Sequence, residues 1–363
     1  MGRISEGINP DILEYVVRWF FSKNNIDDAN RKIVALINTI PLSNIYLDNE
    51  DQVNTSSDGQ KFNIRVPSLN AGQSPKYFGD GNIISAYSSI DAKGRLTFGR
   101  VHNPKVRESN FVPDVLLHNE DVVSDTHGYT EIIFGICNLM GVDFIPRIKN
   151  YHKQVLYTFR NKPRKHYESK GYKILPGKST YINEKIIIEQ WDMILRFLYT
   201  IKLKETLPSN ILKRLGSYSR QHPLHKALRI YKTYFLLKYY NNLSLRQHIE
   251  KQLNRIELSH LFAKAIFFGG NQEFHYATKE EQDMALGCRH LIQNAIVLWN
   301  YLYISQKLSE IEDQVELNKQ ISQLEKSSIM TWQHVNMHGE YDFRIHTNRG
   351  SFDMDRILLL NIS

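Results

Sequence analysis

The residues from Val122 to Tyr129 constrain the fold more than any other stretch of this chain. Two valines lead into Ser124 and Asp125, and a glycine-containing turn then opens onto the apolar run from Ile132 to Met140. This pattern is typical of a buried strand that enters a helix. A carboxylate at the carboxyl end of such a strand requires a cation or a hydrogen-bond donor. The alternative is that Asp125 only caps the following helix, a position that aspartate favours.

The elements predicted around this stretch follow one another in an informative order. They are a strand at Asp58, strands over 82–90 and 95–102, a helix over 110–117, the strand at Asp125, a helix over 130–140 and a strand over 142–148. In a ribonuclease-H-like fold, three antiparallel strands likewise lead into a parallel strand–helix–strand part. We therefore predict an α/β fold with a mixed five-stranded sheet and flanking helices. Taken alone, the dipeptide Asp58-Gly59 indicates a hairpin turn instead.

This order of strands predicts that two acids lie close together. In a ribonuclease-H-like sheet the first and fourth strands are neighbours, about 4.8 Å apart. The carboxylates of Asp58 and Asp125 could then face one cavity. Two-metal phosphoryl chemistry requires two divalent cations about 3.5–4 Å apart. The pattern therefore predicts a metal site shared by these two strands.

Composition bounds the class of protein. A chain of 363 residues with 42% hydrophobic residues can bury a large core, and we expect two lobes. No apolar run is long enough to span a bilayer, and the amino terminus lacks a signal-peptide pattern. The two cysteines, Cys137 and Cys288, have no Cys-x-x-Cys partner, which favours a reducing compartment over a disulfide framework or a zinc site. We therefore expect a soluble, cytoplasmic protein without a membrane partner.

Positive charge is concentrated in one segment. Residues 151 to 260 contain 22 Lys and Arg against 7 Asp and Glu, whereas the whole chain has a net charge of +8. Aromatic and cationic residues alternate from Phe159 to Tyr167, a pattern that suits the phosphates and bases of nucleic acid. Helices are predicted over 184–204 and 224–240. The alternative is a solvated helical face with extended lysines.

A long helix is predicted to begin after Thr278 and to run through Trp299. With Thr278 as the N-cap, Glu281 falls at the third helical position, where its side chain reaches back to the cap amide. This role leaves Glu280 free to point elsewhere, and the helix dipole keeps an acid in the first turn ionised. The sequence leaves open which of the two glutamates faces the cavity. Further helices are predicted over 11–20, 28–40 and 305–326.

These elements divide the chain into five predicted segments. They are the N-terminal helices (1–45), the first part of the core (46–150), a basic helical insertion (151–270), the last part of the core with C-terminal helices (271–345), and a tail (346–363).

Six ordered motifs resemble the catalytic region of the Tn-three family of replicative transposases. They lie at residues 55–60, 124–129, 144–148, 217–224, 294–300 and 332–336. The resemblance implies a DDE transposase with a ribonuclease-H-like core, a helical insertion before the third acid, and Mg²⁺ as cofactor, with Mn²⁺ able to substitute. It implies double-stranded DNA partners, both transposon terminal inverted repeats and target DNA. It also implies a homodimer in the synaptic complex, associated with the nucleoid when bound to DNA.

The same resemblance assigns the acids. The catalytic and metal-binding residues match Asp58, Asp125 and Glu280, which would serve strand cleavage at transposon ends and transfer of the 3′-hydroxyl into target DNA. The residues predicted to contact DNA are His127, Arg147, Arg160, Arg164, Lys165, Arg214, Arg220 and Arg246. For these cations, helix capping or surface pairing is the alternative.

Two other functions stay open at this level. Family members are much longer, with an amino-terminal region that recognises transposon ends, so the chain resembles a split or truncated gene product. It could then be a catalytically silent DNA-binding fragment, with steep salt dependence and no metal-dependent strand breakage. A ribonuclease-H-like nuclease with a cellular role of its own is the other alternative, and the motif at 332–336 weighs against it.

Overall fold

The computed structural model shows a mixed α/β protein whose chain divides into two compact units. The first unit comprises Met1–Asp51, Gln60–Lys105 and Glu257–Ser363, and the second comprises Gln52–Gly59 and Val106–Ile256. The structure describes residues 5–47, 54–73, 75, 79, 81–118, 123–126, 130–142, 144–146, 156–178, 181–217, 222–228, 243–266, 273–336, 339, 341–342 and 352–362.

The helices and strands follow in chain order. Up to residue 105 they are β1 (Ser5–Glu6), α1 (Pro10–Phe20), α2 (Lys23–Thr39), β2 (Asn54–Ile64), β3 (Gly72–Gln73), β4 (Asn82–Asp91) and β5 (Leu96–His102). Next come α3 (Val112–His118), β6 (Val123–Thr126), α4 (Glu131–Leu139), α5 (Arg164–Glu168), α6 (Glu184–Glu189), α7 (Trp191–Lys202), α8 (Pro208–Ser217), α9 (Pro223–Leu228) and α10 (Leu243–Ile266). The last are β7 (Glu273–Phe274), α11 (Lys279–Ser309), α12 (Gln314–Leu324), β8 (Tyr341–Asp342) and α13 (Met354–Leu358). Short 3₁₀ helices span Pro41–Tyr46 and Glu108–Phe111.

Strand β2 lies between the antiparallel and the parallel parts of the sheet. The strand order is β3-β4-β2-β6, with β5 paired to β4 and β7 paired to β2. Strand β2 pairs in parallel with β6 and with β7, whereas β4 and β5 form an antiparallel hairpin. The strand runs without interruption through Asp58 and Gly59, so the hairpin turn that this dipeptide indicates is wrong. The predicted order of elements from β2 to α4 is confirmed, and so is the pairing of its first and fourth strands.

The β4–β5 hairpin is closed by a buried charge network in the first unit. The carboxylate of Asp91 accepts backbone N–H bonds from Lys93 at 3.0 Å and Arg95 at 2.9 Å, and forms an ion pair with Arg95 at 2.5 Å. The Lys93 ammonium donates to Ser43 Oγ at 3.0 Å and Asn44 Oδ1 at 2.8 Å. The hairpin is thereby attached to the 3₁₀ helix that follows α2.

The second unit packs its helices around the apolar face of α4. Ile133, Ile136 and Cys137 are fully buried in this core, and Phe134 meets Phe144 edge to face at 4.9 Å. The N-cap of α4 is Thr130, whereas Asp125 lies within β6. The alternative in which Asp125 only caps this helix is therefore wrong.

Helix α11 is longer than predicted, with 31 residues, and it packs on α2 and β5. The single helix predicted over 305–326 is wrong, because α11 ends at Ser309 and α12 begins after Asp313. The Asp313 carboxylate caps α12 by accepting from the Val315 N–H at 3.1 Å.

Other predicted elements agree more closely with the structure. Helix α1 is observed as predicted, and α2 begins before residue 28 because Ser22 caps it. The helix predicted over 184–204 is present as α6 and α7. Most of the helix predicted over 224–240, and much of the strand predicted over 142–148, lies outside the described residues. In the part of the chain that the structure describes, no helix is both long enough and apolar enough to cross a membrane.

Candidate active site

The first two predicted acids lie on paired strands of the second unit. Parallel pairing makes Asp125 of β6 the partner of Ser56 of β2. Asp58 is two residues beyond Ser56, a step of about 6.6 Å, and residues two apart in a strand lie on the same face. The backbone therefore brings the positions of Asp58 and Asp125 into one part of the sheet.

The residue after Asp58 is a glycine because another carboxylate takes its space. A Cβ atom at Gly59 would collide with the carboxylate of Glu108, whose Oε2 would lie 2.9 Å away and whose Oε1 and carboxyl carbon would lie closer still. Since successive strand residues point to opposite faces, Glu108 packs on the face opposite Asp58. Glu108 is not among the residues predicted from the sequence, because no local signal connects it to Gly59.

The third predicted acid lies in the first turn of α11, in the first unit. Thr278 Oγ1 accepts from the Glu281 N–H at 3.3 Å, and Glu281 Oε2 accepts from the Thr278 N–H at 3.2 Å. These bonds form the predicted capping box, which is confirmed. Glu280 is exposed and takes no part in that box.

Two side chains in the first half of helix α11 attach this helix to strand β5. Asp283 Oδ1 accepts from the Val101 N–H at 2.7 Å. About three turns later, the side-chain amide of Asn294 accepts from the Leu96 N–H at 2.8 Å and donates to the Leu96 carbonyl at 2.9 Å. These attachments fix the backbone from which Glu280 projects.

Carboxylate oxygens are the ligands that Mg²⁺ prefers, so the donor chemistry of Asp58, Asp125 and Glu280 fits a divalent cation. Among the described side chains, no group of three His, Cys, Asp or Glu residues lies close enough together to hold a metal ion.

The cations predicted to contact DNA differ in their surroundings. In the second unit, Arg160, Lys165 and Arg214 are exposed. Arg164 instead pairs with Glu168 at 2.7 Å and donates to the Pro176 carbonyl at 3.0 Å, which agrees with surface pairing. The side chains of His127, Arg147, Arg220 and Arg246 lie outside the described part of the structure.

The motif at 332–336 has a structural role in the first unit. Asn300 Nδ2 donates to the backbone carbonyls of Ile329, at 2.8 Å, and Thr331, at 2.9 Å, which come just before the motif. Trp332 stacks on Phe262 with ring centroids 4.9 Å apart, and His334 stacks on Trp299 at 4.8 Å. These contacts hold the segment on α10 and α11.

Comparison with known proteins gives the class of the domain. The family model described as the Tn3 transposase DDE domain matches residues 1–341. The chain therefore belongs to the Tn3 transposase DDE-domain family.

Individual relatives agree with this assignment. Over 353 residues the chain is 31% identical to the transposase for transposon Tn1546 of Enterococcus faecium, covering 94% of this chain and 34% of that protein. Over 346 residues it is 30% identical to the transposase for transposon gamma-delta of Escherichia coli (strain K12), covering 92% of this chain and 33% of that protein. The chain thus spans about a third of the length of these curated relatives.

Proposed function

We propose that this chain carries the catalytic centre of a DNA transposase. It would cut a DNA strand at a transposon end and join the freed 3′-hydroxyl to target DNA, in replicative, cointegrate-type transposition. The observation that carries this proposal is the parallel pairing of β2 with β6, which aligns the segment of Asp58 with Asp125. Membership of a family whose relatives are named transposases supports it. The proposed core is ribonuclease-H-like, with the basic helices as an insertion before Glu280.

In this proposal Asp58, Asp125 and Glu280 hold divalent cations, Mg²⁺ or Mn²⁺. When bound, such cations would supply activation of the attacking hydroxyl and stabilisation of the charge that develops on the phosphate. The fold of the chain determines where the three acids lie. Strand pairing sets Asp58 and Asp125, and the capping box occupies Glu281 so that Glu280 stays available.

The proposed partners are double-stranded DNA and a second copy of the chain. Arg160, Lys165 and Arg214 are exposed in the unit that also contains Asp58 and Asp125, and exposed cations bind phosphates without regard to sequence. His127, Arg147, Arg220 and Arg246 stay predictions of the same kind. Joining two transposon ends requires two active sites, so a homodimer is the proposed working form.

Metal-dependent nicking of supercoiled plasmid tests the catalytic proposal. We expect the wild type to nick in Mn²⁺ or Mg²⁺ and Asp125→Asn to lose the activity by at least a hundredfold, because the neutral amide replaces an anionic ligand. Gel-shift binding to linear DNA is the control, and it should not change. Nicking that survives in Asp125→Asn would show that the metal site is misplaced.

The choice between the two adjacent glutamates has its own matched pair of variants. Glu280→Gln should abolish nicking without changing the melting temperature. Glu281→Gln should keep nicking, since glutamine also completes a capping box. The opposite result, with activity lost only in Glu281→Gln, would move the third acid by one residue.

A second candidate function is DNA binding without strand cleavage. The exposed cations of the second unit support it independently of the acids. It predicts that binding weakens steeply with salt while no metal produces nicking. Loss of binding in a triple variant of Arg160, Lys165 and Arg214 to Gln would support either function, so nicking decides between them.

A further inference from the structure

A buried arginine joins the helix that carries Glu280 to the strand that carries Asp58. Arg289 lies about two and a half turns after Glu280 on α11 and is 3% exposed. Its Nη1 donates to Gln60 Oε1 at 3.4 Å, and its Nη2 donates to Ser88 Oγ at 2.9 Å. Gln60 belongs to β2 and Ser88 to the neighbouring strand β4. A single side chain of α11 therefore holds two adjacent strands.

Gln60 connects the Arg289 contact to Asp58, because both residues lie on strand β2. It is two residues beyond Asp58, so the two side chains share one face of β2. Gln60 is 6% exposed, and its Nε2 donates to the His260 carbonyl of α10 at 3.3 Å. Both ends of its amide are therefore bound, and the backbone beside Asp58 is held by two helices.

The surroundings of Arg289 are built to receive it. Its guanidinium carbon lies 5.7 Å from the centre of the Phe62 ring, within cation–π range. His290 Nε2 lies 3.0 Å from Ser88 Oγ and 3.2 Å from Arg289 Nη2. Burial, followed by the charge of Arg289, holds the pKa of His290 well below its usual value. His290 is therefore neutral, and its ring can accept a hydrogen bond from Arg289.

A buried cation is an inefficient way to stabilise a fold. Burial lowers the pKa of Arg289 to about 9, which reflects the cost of taking its charge out of water. Apolar residues of similar volume often stabilise an interior as well as buried charges do. What the guanidinium offers instead is a fixed fork of donors that sets the positions of two acceptors.

We propose that Arg289 and Gln60 form a brace that positions Asp58 for divalent-cation binding. The brace rests on the proposed function, since it acts on the same metal site. Arg289 contacts neither DNA nor metal in this scheme, so it is a positioning residue. It acts through the backbone of β2, to which Gln60 and Asp58 belong.

Direct Mn²⁺ titration of the full chain, followed by the electron paramagnetic resonance of free Mn²⁺, tests the brace without an activity assay. Gln60→Met and Arg289→Met should each weaken Mn²⁺ binding on the order of tenfold, the usual size for residues that orient metal ligands. The matched control is Gln293→Met, because Gln293 is equally buried on α11 and its Nε2 donates to the Ser259 carbonyl at 3.3 Å. It should leave the affinity within twofold of the wild type.

Two further variants separate positioning from folding and from the metal site itself. Gln60→Glu keeps the acceptor for Arg289 but loses the donor to the His260 carbonyl. It should retain Mn²⁺ affinity, since the contact with Arg289 carries the brace. Asp58→Asn should weaken binding at least tenfold. If Asp58→Asn weakens binding while Arg289→Met and Gln60→Met match the Gln293→Met control, the brace is wrong and the metal site stands. If Asp58→Asn binds as the wild type does, the metal site of the proposed function is wrong, and the brace fails with it.

Discussion

Replacing Asn294 by leucine tests how the long helix α11 is attached to the sheet. Asn294 is fully buried, and its side-chain amide forms three hydrogen bonds. Its Oδ1 accepts from the Leu96 N–H at 2.8 Å, and its Nδ2 donates to the Leu96 carbonyl at 2.9 Å and to Asn30 Oδ1 at 2.8 Å. The amide therefore pairs with β5 much as another strand would.

The cost of the substitution follows from these three bonds. The Leu96 N–H is left buried without its acceptor, at about 2 kcal/mol, and the two bonds from Nδ2 contribute about 1 kcal/mol each. The Leu96 carbonyl keeps a donor in Asn30 Nδ2 at 3.1 Å. Asn30 Oδ1 loses its bond from Asn294, but Asn30 is only partly buried. Leucine regains about 1 kcal/mol by burying apolar surface. We expect Asn294→Leu to lower the free energy of unfolding by about 3 kcal/mol.

Urea unfolding, followed by both circular dichroism and tryptophan fluorescence, measures this loss. The matched control is Asn318→Leu on α12, where an exposed asparagine accepts from Gln314 Nε2 at 3.0 Å. The control should change stability by less than about 0.5 kcal/mol. A loss below about 1 kcal/mol in Asn294→Leu, with an unchanged denaturant slope, would refute the attachment of α11 through this amide.

Further predictions concern the two units separately. In Gly135→Ala the new Cβ would lie 2.5 Å from a backbone oxygen of α9, so thermal melts should show a loss of about 1–3 kcal/mol, whereas Gly216→Ala meets nothing within 4 Å and should gain up to about 1 kcal/mol. Equal effects at the two glycines would contradict the packing of α4 on α9. Burial, followed by the charge of Arg95, lowers the pKa of Lys93 from 10.5 to about 8, so the unfolded chain binds more protons between these values and the stability of the wild type should rise with pH there. Urea unfolding at pH 7.5 and 9.5 should show this gain relative to Lys93→Met, and a difference that stays flat would contradict it.

The elements that sequence could predict are those whose signals are local. The strand at β6 and the helix α4 follow from an apolar run, a turn and a second apolar run in continuous sequence. The capping box at Thr278 could be found because its two partners are three residues apart. The end of α11 was missed because apolar spacing continues across the break, and only the cap at Asp313 marks it.

The elements that sequence could not predict depend on contacts between distant residues. The dipeptide Asp58-Gly59 satisfies the local rule for a turn, yet it lies inside a strand because pairing with neighbouring strands outweighs that preference. The glycine is required there by the close approach of Glu108, and nothing in the flanking sequence indicates that contact. The brace between Gln60 and Arg289 joins residues 229 positions apart.

These distant contacts matter most for acids that have little packing of their own. Glu280 is exposed and Asp58 only half-buried, so neither side chain can be fixed by surrounding apolar groups. The backbone beneath each acid is held by buried contacts. For Glu280 that backbone is a continuous helix held at Asp283 and Asn294. For Asp58 that backbone is strand β2, in which the carboxylate of Glu108 packs against the next residue, Gly59. The buried attachments therefore lie one or more residues away from the acids, an arrangement that the proposed function requires because its acids must stay open to cations and DNA.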